Sequence, residues 1–134
     1  MNQVVGKITK SLAQKIYQEA HEAGIAAGYA KVPTPMIVGQ PTNPLGDDID
    51  FSKPTYFVKG GVCGFAWVTI KPARGAFVEY LKSINAGHKG YYGGYEVWVR
   101  EFGQSYEQKI AYAGAFAQVC EQYGITAYAG GRLD

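Results

Sequence analysis

Three stretches of the chain carry apolar residues at helical spacing. Leu12, Ile16, Ala20 and Ala23 fall on one helical face. Ser11 with Gln14 matches a capping box, in which each side chain satisfies a free amide at a helix start. Gly24 suits the residue just past a helix end, so the spacing predicts a helix over about 9–23. Phe77, Tyr80, Leu81 and Ile84 trace a second helix over about 74–85, bounded by Pro72 and Gly87. Ser105 with Gln108 repeats the cap. Tyr106, Ile110, Ala113, Ala117 and Cys120 then continue the stripe, with Phe116 and Tyr123 beside it and Gly124 closing the helix.

The strand signals differ from one another in a useful way. Tyr56–Val58 and residues 62–70, joined by Gly60-Gly61, read as a hairpin with a glycine turn. The second of these shows no polar alternation. Cys63, Phe65, Trp67 and Thr69 lie on one face, and Val62, Gly64, Ala66, Val68 and Ile70 on the other. A strand apolar on both faces belongs in the middle of a sheet or is covered on both sides. Tyr95, Val97 and Val99 alternate with Glu96, Trp98 and Arg100 as an amphipathic strand, and residues 125–129 read as a last strand.

Pro33, Pro35, Pro41, Pro44 and Pro54 are five of the six prolines. Proline lacks the amide that regular structure needs, so residues 31–55 are expected to form a long extended connection. Met36–Val38 is expected as a short edge strand inside it, and Asp47, Asp48 and Asp50 as an acidic tip. Connections of that length inside a compact domain usually carry function or wrap the core. The expected architecture is one α+β domain over residues 1–134. It holds a mixed, mainly antiparallel sheet of four or five strands with about three helices packed on it. The element order is α, extended Pro-rich segment, β, β, α, β, α, β.

Composition narrows the setting more than the chemistry. The 134 residues are 47% hydrophobic and 18% charged, which excludes a disordered chain. A net charge of +2 is too mild to announce nucleic acid, although local patches matter more than the sum. Cys63 and Cys120 have no CxxC spacing and are expected as buried, reduced thiols. The first residues lack a basic stretch followed by an apolar one, and no apolar run approaches membrane-span length. A soluble, cytoplasmic protein is expected. Eleven tyrosines and two tryptophans exceed what one small core needs, which points to a protein-binding or homo-oligomeric surface.

Candidate chemistry gathers near the C-terminal third. The loop Gly90-Tyr91-Tyr92-Gly93-Gly94 sets exposed backbone and stacking rings beside the cations of His88 and Lys89. That combination suits a phosphate, a nucleotide or single-stranded nucleic acid, but it has neither Walker nor GxGxxG spacing. Arg132 after the last strand can grip an anion bidentately or pair with Asp134. Lys71 and Arg74 flank Pro72 at a strand-to-helix junction, where an arginine opposes the helix dipole and invites an anionic partner. The aspartates at 47, 48 and 50 lack calcium-loop spacing and read as a solvated turn. His21 reads as a helix-face residue, and Glu79, Glu96, Glu101 and Glu107 as solvated positions. No catalytic residue, metal site or cofactor is expected.

Several short motifs, taken together, resemble a family. They are Gly61-Val-Cys-Gly-Phe-Ala-Trp-Val68 followed by Lys71-Pro72, the Gly90–Gly94 loop, Gln104-Ser105, residues 113–119, Gly124-Ile125 and Arg132-Leu-Asp134. Over about residues 33–134 the chain resembles short uncharacterised proteins of tailed phages and prophages. The resemblance implies an accessory product in an infected bacterial cytoplasm and carries no residue roles. The expected function is binding of a host protein or nucleic acid, through His88, Lys89, Tyr91, Tyr92 and Arg132, with Lys71 and Arg74 if the fold brings them near. The alternative is a small enzyme or sequestering protein acting on a nucleotide-like or phosphate-bearing ligand, with His88 as acid or base.

Overall fold

Strand β3, Gly64–Lys71, organises the computed structural model, which describes residues 7–38, 53, 56–58 and 60–134. It pairs antiparallel on one side with β5, Tyr95–Trp98, and on the other with β6, Thr126–Leu133. A two-residue strand β4, His88–Lys89, pairs with the free edge of β5. The four-stranded sheet therefore runs β4-β5-β3-β6 and is antiparallel throughout. The strand without polar alternation is thus the central one of the sheet.

Three helices complete an α+β fold: α1 Lys10–Ala30, α2 Ala76–Ser83 and α3 Tyr106–Gln122. They share one core with a single face of the sheet. Ala66, Val68 and Ile70 of β3, Tyr95 of β5 and Ala127 of β6 meet Phe116, Ile16 and Leu81 from the three helices. Of these, Phe116, Ile16, Ile70 and Leu81 are fully buried, each contributing about 1.5–3 kcal/mol.

Close approach, rather than bulk, seats α3 between α1 and the sheet. A Cβ on Gly24 of α1 would lie 2.6 Å from the Tyr112 ring, and one on Gly28 would collide with Phe102. On the sheet side, a Cβ on Gly64 would come within 2.7 Å of the Tyr106 ring. Gly24 is therefore not a helix end. The helix expected over 9–23 runs on to Ala30 because glycine is where the neighbouring ring packs. Its N-cap is Thr9, whose hydroxyl accepts from the Leu12 amide at 3.2 Å, in place of Ser11.

The other helix boundaries follow their caps. The Ser105 hydroxyl accepts from the Gln108 amide at 3.3 Å, as the sequence predicts, while the Gln108 side chain donates across to the Gly28 carbonyl at 3.1 Å. After α3 the Ile125 amide reaches back to the Cys120 carbonyl around Gly124, which has φ +80°. Helix α2 closes in the same way, earlier than Gly87. The Ala86 amide bonds to the Leu81 carbonyl while Asn85 takes the left-handed conformation, φ +58°.

Two pairings differ from expectation. Strand β2, Tyr56–Val58, pairs with β1, Met36–Val38, and not with β3. Both edges of β3 are already taken, by β5 and β6, so no edge remains for a hairpin partner. The edge strand expected at Met36–Val38 is present, in this separate two-stranded ladder. Strand β6 runs to Leu133 instead of stopping near 129, because it follows the full length of β3, Gly64 opposite Leu133. Pro41, Pro44, Pro54 and the aspartates at 47, 48 and 50 lie outside the described residues. No described helix is long and apolar enough to cross a membrane.

Two glycine-to-alanine changes within helices should have opposite signs. Gly24→Ala should destabilise the protein by about 1–2 kcal/mol, since overpacking outweighs the helix-propensity gain. Gly114→Ala, exposed on α3 with nothing within 4 Å of the new Cβ, should stabilise by about 0.5–1 kcal/mol. Urea denaturation of both variants checks the pair. The cysteines should also separate. Cys120 is buried and its thiol is pushed up to about 12 by burial first and the nearby Glu121 charge second. Cys63, expected as buried, is only half-buried at the lone bridge it makes with Ser105. A thiol reagent should label Cys63 in the native protein and Cys120 only after denaturation, because the thiolate is the reactive form.

Candidate functional site on the open face of the sheet

Alternation along the strands sends a second set of side chains to the face away from the core. Directly paired residues share a face, so the register assembles this set row by row. One row runs His88, Glu96, Thr69, Tyr128, and the next runs Trp98, Trp67, Gly130. Phe65 opposite Arg132 closes one end, and Lys71 opposite Thr126 the other. None of the aromatic side chains in this set packs into the helix-covered core.

The centre is a band of aromatic rings. The indoles of Trp67 and Trp98 stack with centroids 4.9 Å apart and planes 26° apart. Phe65 lies 5.8 Å from Trp98 on one side, and the His88 ring 6.3 Å away on the other. Gly130 makes room for this band: a Cβ there would stand 2.6 Å from Trp67 Nε1. Glu96 orients two of the rings at once. Its Oε1 accepts from Trp98 Nε1–H at 3.1 Å and lies 3.5 Å from His88 Nε2. Glu96 is thus half-buried and engaged, where the sequence suggested a solvated carboxylate.

Cations border the band at both ends. The Arg132 guanidinium lies 5.5 Å from the Phe65 ring centroid, joined by Lys109 at 5.7 Å, while Lys71 lies 5.7 Å over Tyr128. Among the described residues neither Arg132 nor Lys71 makes an ion pair, so the Asp134 partner considered for Arg132 is not taken up. From Phe65 to Lys71 the strand covers roughly 20 Å at about 3.3 Å per residue.

The seven residues singled out from the sequence do not form one patch. His88, Lys71 and Arg132 share the open face. Lys89 pairs with Tyr95 and so alternates to the other side, at an exposed edge. His88 and Lys89 form strand β4 where a loop was expected. Tyr91 and Tyr92 stand at the tip of the β4–β5 turn, 89% and 91% exposed, with their rings edge to face at 4.8 Å. Gly94 presses this turn against Thr69 and the Lys71 stem, beside the Lys71 end of the band. Arg74 lies apart, in the β3–α2 connection, where it lines a shallow groove of about 240 Å³ with Lys71, Pro72 and Thr126.

Sequence reasoning missed Phe65, Trp67 and Glu96 as members of a site. The signal was present in part. Phe65, Trp67 and Thr69 alternate on one face of 62–70, and Trp98 alternates with Glu96 and Arg100. What periodicity could not supply was which face of the central strand the helices would leave uncovered. Among the described residues no three His, Cys, Asp or Glu side chains gather as a metal site. No family model, curated protein or solved structure matches this chain.

The stacked indoles should give an exciton couplet in the circular dichroism spectrum of the native protein. Trp67→Phe and Trp98→Phe should each abolish it, since coupling needs both partners. Absence of a couplet that depends on both indoles would show that the two rings are not stacked in solution.

Proposed function

We propose that this protein binds single-stranded nucleic acid across the open face of its sheet, without catalysis. The observation that carries this reading is the Trp67–Trp98 stack, in line with Phe65 and His88 and bordered at its two ends by Lys71 and Arg132. Single strands are held by aromatic faces on which bases stack, at about 1–3 kcal/mol per base, and by cations that follow the phosphates. Antiparallel sheets with aromatic residues on the solvent side are one scaffold that meets both needs. The band of roughly 20 Å suits a tract of about four nucleotides, near the lower end of known site sizes.

The setting that goes with this reading is the cytoplasm of an infected bacterium, where an accessory phage product meets host RNA and single-stranded phage DNA. The short-motif resemblance over about residues 33–134 supports that setting. An enzyme acting on a nucleotide-like ligand would need His88 shielded from water. At 60% side-chain exposure on the sheet surface it is poorly placed for acid–base work.

Fluorescence anisotropy of a labelled single-stranded oligonucleotide tests the proposal. Binding is expected at about 50 mM salt and should weaken by roughly sevenfold at about 200 mM, as two phosphate contacts with a slope near −0.7 each require. Lys71→Ala with Arg132→Ala should flatten that slope. Trp98→Ala, checked for folding by circular dichroism, should cost tenfold or more in affinity at both salts. No binding at the lower salt would overturn the proposal. Concentration-dependent self-association, or capture of a bacterial protein lost in Trp98→Ala, would then reassign the face to a second copy or a host-protein partner.

A further inference from the structure

Beside the aromatic band, past the β4–β5 edge, the chain encloses a polar cleft of about 190 Å³. Tyr17 of α1, the Asn85–Gly87 turn after α2, His88 and Trp98 of the sheet, Arg100 and Glu101 of the β5–α3 connection, and Tyr112 of α3 line it. The geometry points to a pocket for one nucleobase, selective for guanine, that receives the base next to those stacked on the band. This inference rests on the binding reading above and adds a sequence preference to it.

Position is the first argument. Trp98 and His88 belong to both the band and the cleft, so a strand crossing Trp98 can lower its next base over that edge. Size is the second. Ligand pockets for larger molecules run from about 300 Å³ upward, so this one suits a single base and leaves sugar and phosphate outside.

Chemistry selects the base. The Arg100 side chain makes no ion pair among the described residues. Glu101 uses Oε1 to accept from the Arg100 amide at 3.1 Å, and its Oε2 has no hydrogen-bond partner among the described residues. Its charge reaches the cleft wall: after burial, Glu101 is the next cause raising the phenol pKa values of both Tyr17 and Tyr112. The wall behind it is rigid, with Tyr112 hydroxyl and His21 Nδ1 at 2.6 Å and the His21 ring stacked on Tyr17. A free carboxylate oxygen and a free guanidinium lining one cleft match guanine, which offers adjacent N1–H and N2–H donors and, on the adjoining edge, the O6 and N7 acceptors that arginine reads in pairs. Adenine and cytosine offer the carboxylate one amino donor with a ring-nitrogen lone pair beside it, and thymine or uracil offers one donor alone, so only guanine presents two adjacent donors.

The test uses labelled dT strands of about ten nucleotides carrying one central dG, dA or dC, or none. The dG strand is expected to bind about tenfold tighter than the others, the discrimination typical of one bidentate base contact. Glu101→Gln, which keeps shape and the bond to the Arg100 amide, should erase that preference by bringing the dG strand down to the affinity of the others. Arg100→Lys should reduce it. Equal affinity for all four strands would overturn the guanine pocket and leave the binding face standing. Failure of every strand to bind would overturn both. Tight binding of free GMP with no preference among strands would overturn the strand assignment and make the cleft a free-nucleotide site.

Discussion

The structure depends on how closely α3 can approach its two neighbours. Tyr112 packs where Gly24 leaves α1 bare, and Tyr106 packs where Gly64 and Gly131 leave the sheet bare. Each glycine costs helix or strand propensity, roughly 0.5–1 kcal/mol against alanine. That cost is offset by letting whole aromatic rings into the layer between α1 and the sheet. Since α1, α2 and α3 all contribute to the core on one face, the other face of β3 must meet its surroundings without them.

That arrangement leaves the aromatic side chains of Phe65, Trp67 and Trp98 on the face away from the helices. Large apolar side chains on a sheet face that no described helix covers are costly unless they shield one another or meet a ligand. Phe65, Trp67 and Trp98 do the first: they stack among themselves, Trp67 over Gly130, with Arg132 and Lys71 laid against the outer rings. Glu96 adds a fixed hydrogen bond that holds the Trp98 indole beside His88. Rings held in this way lose little freedom on binding, so stacking energy is not spent on ordering them.

Much of the fold was legible from the sequence. The stripes of α2 and α3, the Ser105 cap, the Gly124 end and the two-sided apolar character of β3 all reflect local rules of spacing and backbone conformation. Gly24 misled because glycine after an apolar stripe usually ends a helix, and only the position of the Tyr112 ring shows why this one does not. The hairpin reading of Tyr56–Val58 failed for a comparable reason. A glycine turn between two apolar runs favours pairing, but β5 and β6 occupy both edges of β3. Of the candidate residues, His88, Lys71 and Arg132 come to the aromatic face, whereas Lys89 and Arg74 lie elsewhere because strand parity and loop placement decide which face a cation serves.

By itself, then, the sequence determined the types of the long elements, the centrality of β3 and the division of its residues into a small-residue face and an aromatic face. These follow from periods of 3.6 and 2 and from steric limits that act within a few residues. The tertiary structure alone decided which face the helices cover, which strands flank β3, and that Glu96 lies between His88 and Trp98. Those outcomes join residues far apart in the chain, and they are set by competition for sheet edges and by how closely helices can pack, neither of which leaves a local pattern.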